Sequence, residues 1–183
     1  MAVTDAGGGS SRWNDIAITR WRDDATCDDC GSFVYLRDVA SARTWSAALQ
    51  PTLARADEFA AEFTRGRAVF RRRDGALRTL TTIAVAQDDD VELRRVVVAS
   101  DAPATVELTS YAELVLGARA ADAAHPAFEK LFVETEWLPG LDTILCTRRP
   151  RDDGEAAPWM FHLRVADRVA TPAVSFTTDR RHF

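Results

Sequence analysis

Lysine is nearly missing from this chain: Lys130 is the only one, and arginine makes up the rest of the 23 basic residues. Acidic residues number 28, for a formal charge of −5. A nucleic-acid binder shows a basic excess or a basic stripe, so that class is set aside. The arginine bias itself is common in GC-rich coding sequences and carries no functional reading. Cysteine is also sparse. An odd count of 3 with no repeated spacing excludes a disulfide scaffold and fits a reducing compartment. No apolar run approaches the ~18–20 residues that span a bilayer. The N-terminus lacks the basic stretch and apolar core of a secretory signal. These absences lead to the expectation of a soluble, acidic, cytoplasmic segment that makes no membrane contact of its own. What is present is an apolar fraction of 46% in 183 residues, enough to build the core of one domain.

The chain reads as strand after strand. "DIAITRW" (Asp15–Trp21) and "SFVYLRDV" (Ser32–Val39) are rich in β-branched and aromatic residues. "EFAAEFT", Arg65-Gly66 and "RAVFRRR" read as one hairpin. Asp74-Gly75, the strongest hairpin signal in the chain, joins the second of these strands to "ALRTLTTIAVA" (Ala76–Ala86). In that strand Leu77, Thr79, Thr81, Ile83 and Val85 share one face, while Leu80, Thr82 and Ala84 share the other. Further strands are expected at Val91–Ser100, Thr105–Leu116, "LFVETEWL", "LDTILCTRR", "WMFHLRVA" and "VSFTT". Helical periodicity is weak; the candidates are "WSAALQP" (Trp45–Pro51) and "GARAADAAHPAFEK" (Gly117–Lys130), the latter interrupted at Pro126. "RPRDDGEAAP" (Arg149–Pro158) reads as a surface loop. Long strands separated by Gly, Pro and Asp turns predict a large two-sheet antiparallel sandwich.

The stretch "GGGSSRWNDIAITRWRDDATCDDCGSFVYLRD" concentrates the residues that can carry chemistry. Gly7-Gly8-Gly9 leads into a strand and has no following lysine, which argues against a phosphate loop and for a flexible lead-in over residues 1–11. Cys27-x-x-Cys30 is half of a zinc site at most, because Cys146, His125, His162 and His182 are scattered singly; a redox pair would need a βαβ setting. Asp23, Asp24, Asp28 and Asp29 could include paired carboxylates for glycoside chemistry, but aspartates also cluster in turns, where they accept from nearby backbone N–H groups. Trp13, Trp21 and Trp45, with Arg12, Arg20, Arg22 and Arg37, suit sugar recognition: rings pack on the apolar face of a pyranose, and polar side chains bind its hydroxyls. The competing role for the tryptophans is core filling. Three isolated histidines give no Ser-His-Asp arrangement. No catalytic residue, metal ligand or cofactor is assigned.

Taken in order, that stretch, "VELRRVVV", "ELTSYAELVL", "ADAAHPAFEKLFVETE" and "ILCTRRPR" resemble the N-terminal β-sandwich of glycoside hydrolase family 94 (glycosyltransferase family 36-type) proteins. The resemblance is closest to the phosphorylase-like region of cyclic β-1,2-glucan synthases; cellobiose and chitobiose phosphorylases are more distant. It covers nearly the whole chain. It implies an all-β, galactose-mutarotase-like supersandwich with at most short helices, filling residues 1–183 as one domain and allowing for an incomplete C-terminal end. It also implies a catalytic (α/α)6 barrel elsewhere in such proteins, absent from these residues. Matched by motif, Arg12, Trp13, Arg20, Trp21, Asp24 and Asp28 become the sugar- or barrel-facing candidates, and His125 and Phe128 a second candidate surface. Ser10 and Cys30 stand where family members commonly carry aromatics.

The function expected on this basis is a non-catalytic, carbohydrate-binding module acting in β-glucan metabolism. Its expected partners are a β-glucan or gluco-oligosaccharide, the catalytic barrel, and a second copy as a homodimer, with the parent synthase associated with the inner membrane. Two other readings stand beside it. One is a purely structural domain that packs on the barrel or mediates dimerisation without binding sugar. The other is a small enzyme using the aspartate cluster.

Overall fold

The computed structural model describes residues 1–22, 24, 26–152, 154–155, 157–167 and 174–179. Fifteen strands and two short helices are described. Four strands open the chain: β1 (Ala2–Val3), β2 (Gly9–Ser10), β3 (Arg12–Trp13) and β4 (Ile16–Thr19). β5 (Ser32–Asp38) and β6 (Thr44–Ser46) lead to four long strands, β7 (Glu58–Thr64), β8 (Arg67–Asp74), β9 (Leu77–Val85) and β10 (Glu92–Ser100). β11 (Val106–Ala112) and β12 (Leu114–Ala118) precede helices α1 (Arg119–Ala124) and α2 (Pro126–Glu129), and β13 (Val133–Leu138), β14 (Thr143–Arg148) and β15 (Trp159–Leu163) follow.

The strand order is β10-β9-β8-β7 in the largest sheet, with every neighbouring pair antiparallel. Its two hairpins turn where the sequence predicts: Gly66 and Gly75 both adopt the left-handed φ such tight turns require, 76° and 61°. The alternation along β9 holds from Leu77 to Ile83, whose odd positions are buried while Arg78 and Leu80 face out. A second sheet, β11-β5-β6, lies against it. Leu36, Trp45, Ala47 and Leu77 form their shared core, with Val34, Val98 and Val106 packed around. A second cluster, Ala68, Phe70 and Ile83, is covered by Val3, Ala48, Phe59 and Ala61. Two three-stranded sheets, β12-β4-β3 and β13-β14-β15, and the two-stranded β1-β2 complete the described architecture. It is the all-β, antiparallel sandwich that the pattern of turns and alternation predicts. Among the described residues no helix is long and apolar enough to cross a membrane.

Several expectations are corrected. "WSAALQP" is not helical: Trp45 and Ser46 belong to β6, and the segment then turns through the cis Gln50–Pro51 bond. Trp45 is drawn into the inter-sheet core, which outweighs the weak helical pattern. The single strand expected over Thr105–Leu116 is two, β11 pairing with β5 and β12 with β4, with the change of sheet at Glu113. "VSFTT" (residues 174–178) forms no strand, although Phe176 stacks on Trp137 at 4.5 Å. The lead-in over residues 1–11 is held rather than flexible: Ala2 and Val3 pair with Ser10 and Gly9, and Gly7, Gly8 and Gly9 are all buried. Gly7 has φ +95°, and a Cβ there would stand 2.3 Å from that of Ala48, so the triplet serves close packing.

Candidate functional site

β4 ends at Thr19, a buried residue whose hydroxyl accepts the Ser11 N–H at 2.9 Å. This delivers Arg20 to the sheet margin, where its own N–H bonds to the Glu113 carbonyl at 3.1 Å. The Arg20 side chain is buried to 4% exposure, as is Asp122 on α1. The two form a bidentate pair, Nε to Oδ2 at 2.9 Å and Nη2 to Oδ1 at 2.6 Å. Nη1 donates to Glu113 at 2.6 Å and Nη2 also to the Pro126 carbonyl at 3.3 Å. Lys130 is a second cation on Glu113. The hydrogen bond to Asp122 raises the Arg20 pKa further, against the opposing effect of burial. Proline at the first position of α2 costs that helix no hydrogen bond, since the N–H there would be unpaired anyway, and it brings its carbonyl to Arg20.

Above this buried pair lies an open cleft of about 270 Å³ lined by Arg20, Trp21, Arg22, Arg119, Asp122, Ala123 and Pro126. Arg119 and Asp122 reach it together because residues three apart lie on one side of a helix. The Arg119 guanidinium sits 6.0 Å from the Trp21 ring centroid, at the outer reach of a cation–π contact. The cleft is near the lower end of ligand-pocket volumes and combines an aromatic wall with polar groups on its floor and rim. Glycoside hydrolysis needs two carboxyls facing each other across a bond. Among the described residues one carboxylate lines this cleft, Asp122, and it is already taken by Arg20.

The six expected site residues of the N-terminal stretch divide among four places. Arg20 and Trp21 meet in the cleft, with Arg20 holding its floor together. Arg12 and Trp13 are exposed on β3, where Trp13 pairs with Ile16, four residues and about 13 Å along the chain from Arg20. Asp24 is exposed and forms a local turn, accepting from the Thr26 N–H at 2.9 Å and the Thr26 hydroxyl at 2.6 Å. The Thr26 side-chain hydrogen bond leads the contacts that hold its carboxyl below the usual range. Asp28 accepts from the Thr4 hydroxyl and lies against Gly8, where an added Cβ would come within 2.1 Å of its Oδ1. Asp23 and His182 lie outside the described residues. The aspartate cluster therefore serves turn and packing at Asp24 and Asp28.

His125 is exposed at the junction of α1 and α2. Phe128, also exposed, meets Phe132 edge-on at 5.1 Å, and Arg151 covers both rings at 5.8 and 5.0 Å. Beneath them the buried Glu129 accepts from Arg148 Nη2 at 2.5 Å and from Arg151. Gly117 lets the Arg148 guanidinium approach β12: an added Cβ would be 3.4 Å from it. Cys27 is exposed, while Cys30 is half-buried with its thiol pushed up by burial and by Asp29. Burial pushes Cys146 up to about 11. Among the described residues no group of three or more His, Cys, Asp or Glu converges to hold a metal ion.

Sequence reading does not single out Arg119, Asp122 or Pro126 as partners of Arg20 and Trp21. The only available signal is the short Ala-rich helical segment, because the pairing spans 102 positions.

A model of the glycosyl hydrolase 94 supersandwich domain matches residues 1–183. The chain is similar to the cyclic beta-(1,2)-glucan synthase NdvB of Rhizobium meliloti (strain 1021), with 34% identity along 100% of this chain. It spans 6% of the length of that relative.

Proposed function

The chain belongs to the glycosyl hydrolase 94 supersandwich family, and on that premise we propose that it is a non-catalytic, carbohydrate-binding module of a cyclic β-glucan synthase-type protein. The observation that carries this reading is the cleft, where Trp21 offers a ring to the apolar face of a glucose unit and Arg22 and Arg119 offer donors to its hydroxyls. The ligand class is a β-linked gluco-oligosaccharide, with the Trp21 stack worth about 0.5–1.5 kcal/mol. Arg20 is the positioning residue: Asp122 and Glu113 occupy its donors, and its place fixes the wall that holds Trp21.

The test is a ¹H–¹⁵N correlation spectrum of the chain titrated with β-1,2-linked gluco-oligosaccharides at millimolar concentration. Shifts at Trp21, Arg22 and Arg119, lost in a folded Trp21→Ala variant, are the expected result. A well-dispersed spectrum that does not respond would remove sugar binding.

A second reading draws on a different surface. Trp159, Phe161 and Leu163 alternate along β15 and are 62%, 59% and 58% exposed, an apolar row that supports packing against another domain, such as a catalytic barrel. The two readings are compatible in a longer protein and separate in the titration.

A further inference from the structure

The outward face of the four-stranded sheet reverses the charge of the chain as a whole. Arg67, Arg71, Arg73, Arg78 and Arg95 stand on it, and all five are exposed. Two of them are answered from β7, Arg71 by Glu62 at 2.9 Å and Arg73 by Glu58 at 3.1 Å. Arg78 reaches Asp101 beyond the end of β10 at 2.5 Å. Arg67 and Arg95 have no acidic partner among the described residues. Register puts Arg67 opposite Ala84 and Arg95 opposite Thr82, two strands apart and one pleat repeat along, a separation of about 12 Å. Leu80 and Val97 are direct cross-strand neighbours on one side of Arg95, and Leu93, opposite Ala84, stands on its other side. Their exposures are 39%, 40% and 59%. A chain of net charge −5 thus carries one sheet face with five arginines against two glutamates.

We propose that this face docks an acidic polypeptide surface, with Arg67 and Arg95 taking its carboxylates and the Leu80–Val97 pair and Leu93, on either side of Arg95, its aliphatic side chains. Charge complementarity selects this occupant. A second copy laid face to face would set arginines against arginines. A bilayer of anionic lipid or a nucleic acid presents continuous negative charge, which Glu58 and Glu62 within the face repel; a polypeptide can pair with both signs. The partner is separate from the sugar cleft, so the proposal stands apart from the carbohydrate reading.

The experiment measures binding of the full chain to a synthetic peptide rich in glutamate with interspersed leucine and lysine, at low and high salt, beside vesicles of phosphatidylglycerol. The expected result is salt-sensitive binding to the polypeptide that weakens about tenfold in the Arg67→Glu, Arg95→Glu double variant. A charge-matched control, Arg37→Glu with Arg55→Glu on other surfaces, should change it by less than about twofold. If the charge reversal disturbs folding, Arg67→Gln with Arg95→Gln should still weaken binding in the same direction. Equal losses in the Arg67→Glu, Arg95→Glu variant and in the Arg37→Glu, Arg55→Glu control would reduce the effect to net charge and overturn the proposal. So would the absence of polypeptide binding, or binding to the vesicles alone, which would assign the face to lipid.

Discussion

The inter-sheet core and the floor of the cleft are both buried, and they are held by opposite means. Between the sheets, Leu36 and Trp45 are sealed by each other and by Leu77, Val98 and Val106, and Phe70 by Ala68, Ile83 and Phe59, contacts without direction that need only apolar surfaces facing inward. At the cleft, Arg20, Asp122 and Glu113 are held by charged hydrogen bonds between segments 93 and 102 positions apart. Arg148 and Glu129 repeat the device at the neighbouring sheet. Apolar burial tolerates change of shape at moderate cost, whereas a buried ion pair is exacting about both partners. Its net contribution is small because desolvation offsets most of the attraction, yet removing one partner strands the other.

The largest effect should come from the apolar region. Phe70 is fully buried, stacks on Phe59 at 6.2 Å and meets Phe63 edge-on at 6.1 Å. Phe70→Ala should cost about 3–5 kcal/mol in chemical denaturation. A loss under about 1 kcal/mol would mean that this cluster does not hold the fold.

The ion-paired region should respond differently to single and paired changes. Arg20→Ala should destabilise by about 3 kcal/mol, whereas Arg20→Met combined with Asp122→Leu should recover most of that loss. Denaturation of the three proteins tests the point. A double variant as unstable as the single one would show that directed hydrogen bonds, not compensation of charge, secure the cleft.

The smallest effect lies outside both regions, between β15 and β11. His162 on β15 shares a 2.8 Å hydrogen bond with Ser110 on β11, and burial first, then Arg94, hold its pKa below the ordinary 6.5. With the folded pKa depressed, the unfolded chain takes up the proton first as pH falls. The fold is therefore fully stable above about 6.5 and loses stability as pH drops through the lower folded value. Thermal melts from neutral to mildly acidic pH should show this loss, and His162→Gln should flatten it. A slope unchanged in the variant would place the effect on the carboxylates instead.

How much of this was legible in the sequence follows the same division. The β7–β8–β9 hairpins could be placed to within a residue because Arg65-Gly66 and Asp74-Gly75 set the turns and period-two alternation set the faces, all within a local window. Arg20 and Trp21 are named, with Arg12, Trp13, Asp24 and Asp28, from residue type and from the family resemblance. That Arg20 would be sealed beneath the surface while Trp21 lined the cleft could not be read this way, because both are decided by α1 and Pro126. Asp24 and Asp28 were ambiguous between chemistry and turn, and their contacts with Thr26, Thr4 and Gly8 show the turn and packing role. The break of "TVELTSYAELVL" into two sheets left no mark on the local pattern, because no Gly or Pro stands at Glu113, where the chain changes sheet.

The sequence by itself determined the all-β character, the long hairpins, the faces they bury and the family to which the chain belongs. These depend on turn chemistry, side-chain period and ordered motifs, which act over a few residues or are read in a line. Tertiary structure alone decided which sheet each strand joins, that the glycine triplet is packed between two loops, and that one helix closes on the first strands to make a cleft. Those outcomes turn on pairings across a hundred positions, where geometry selects the partner and no local signal announces it.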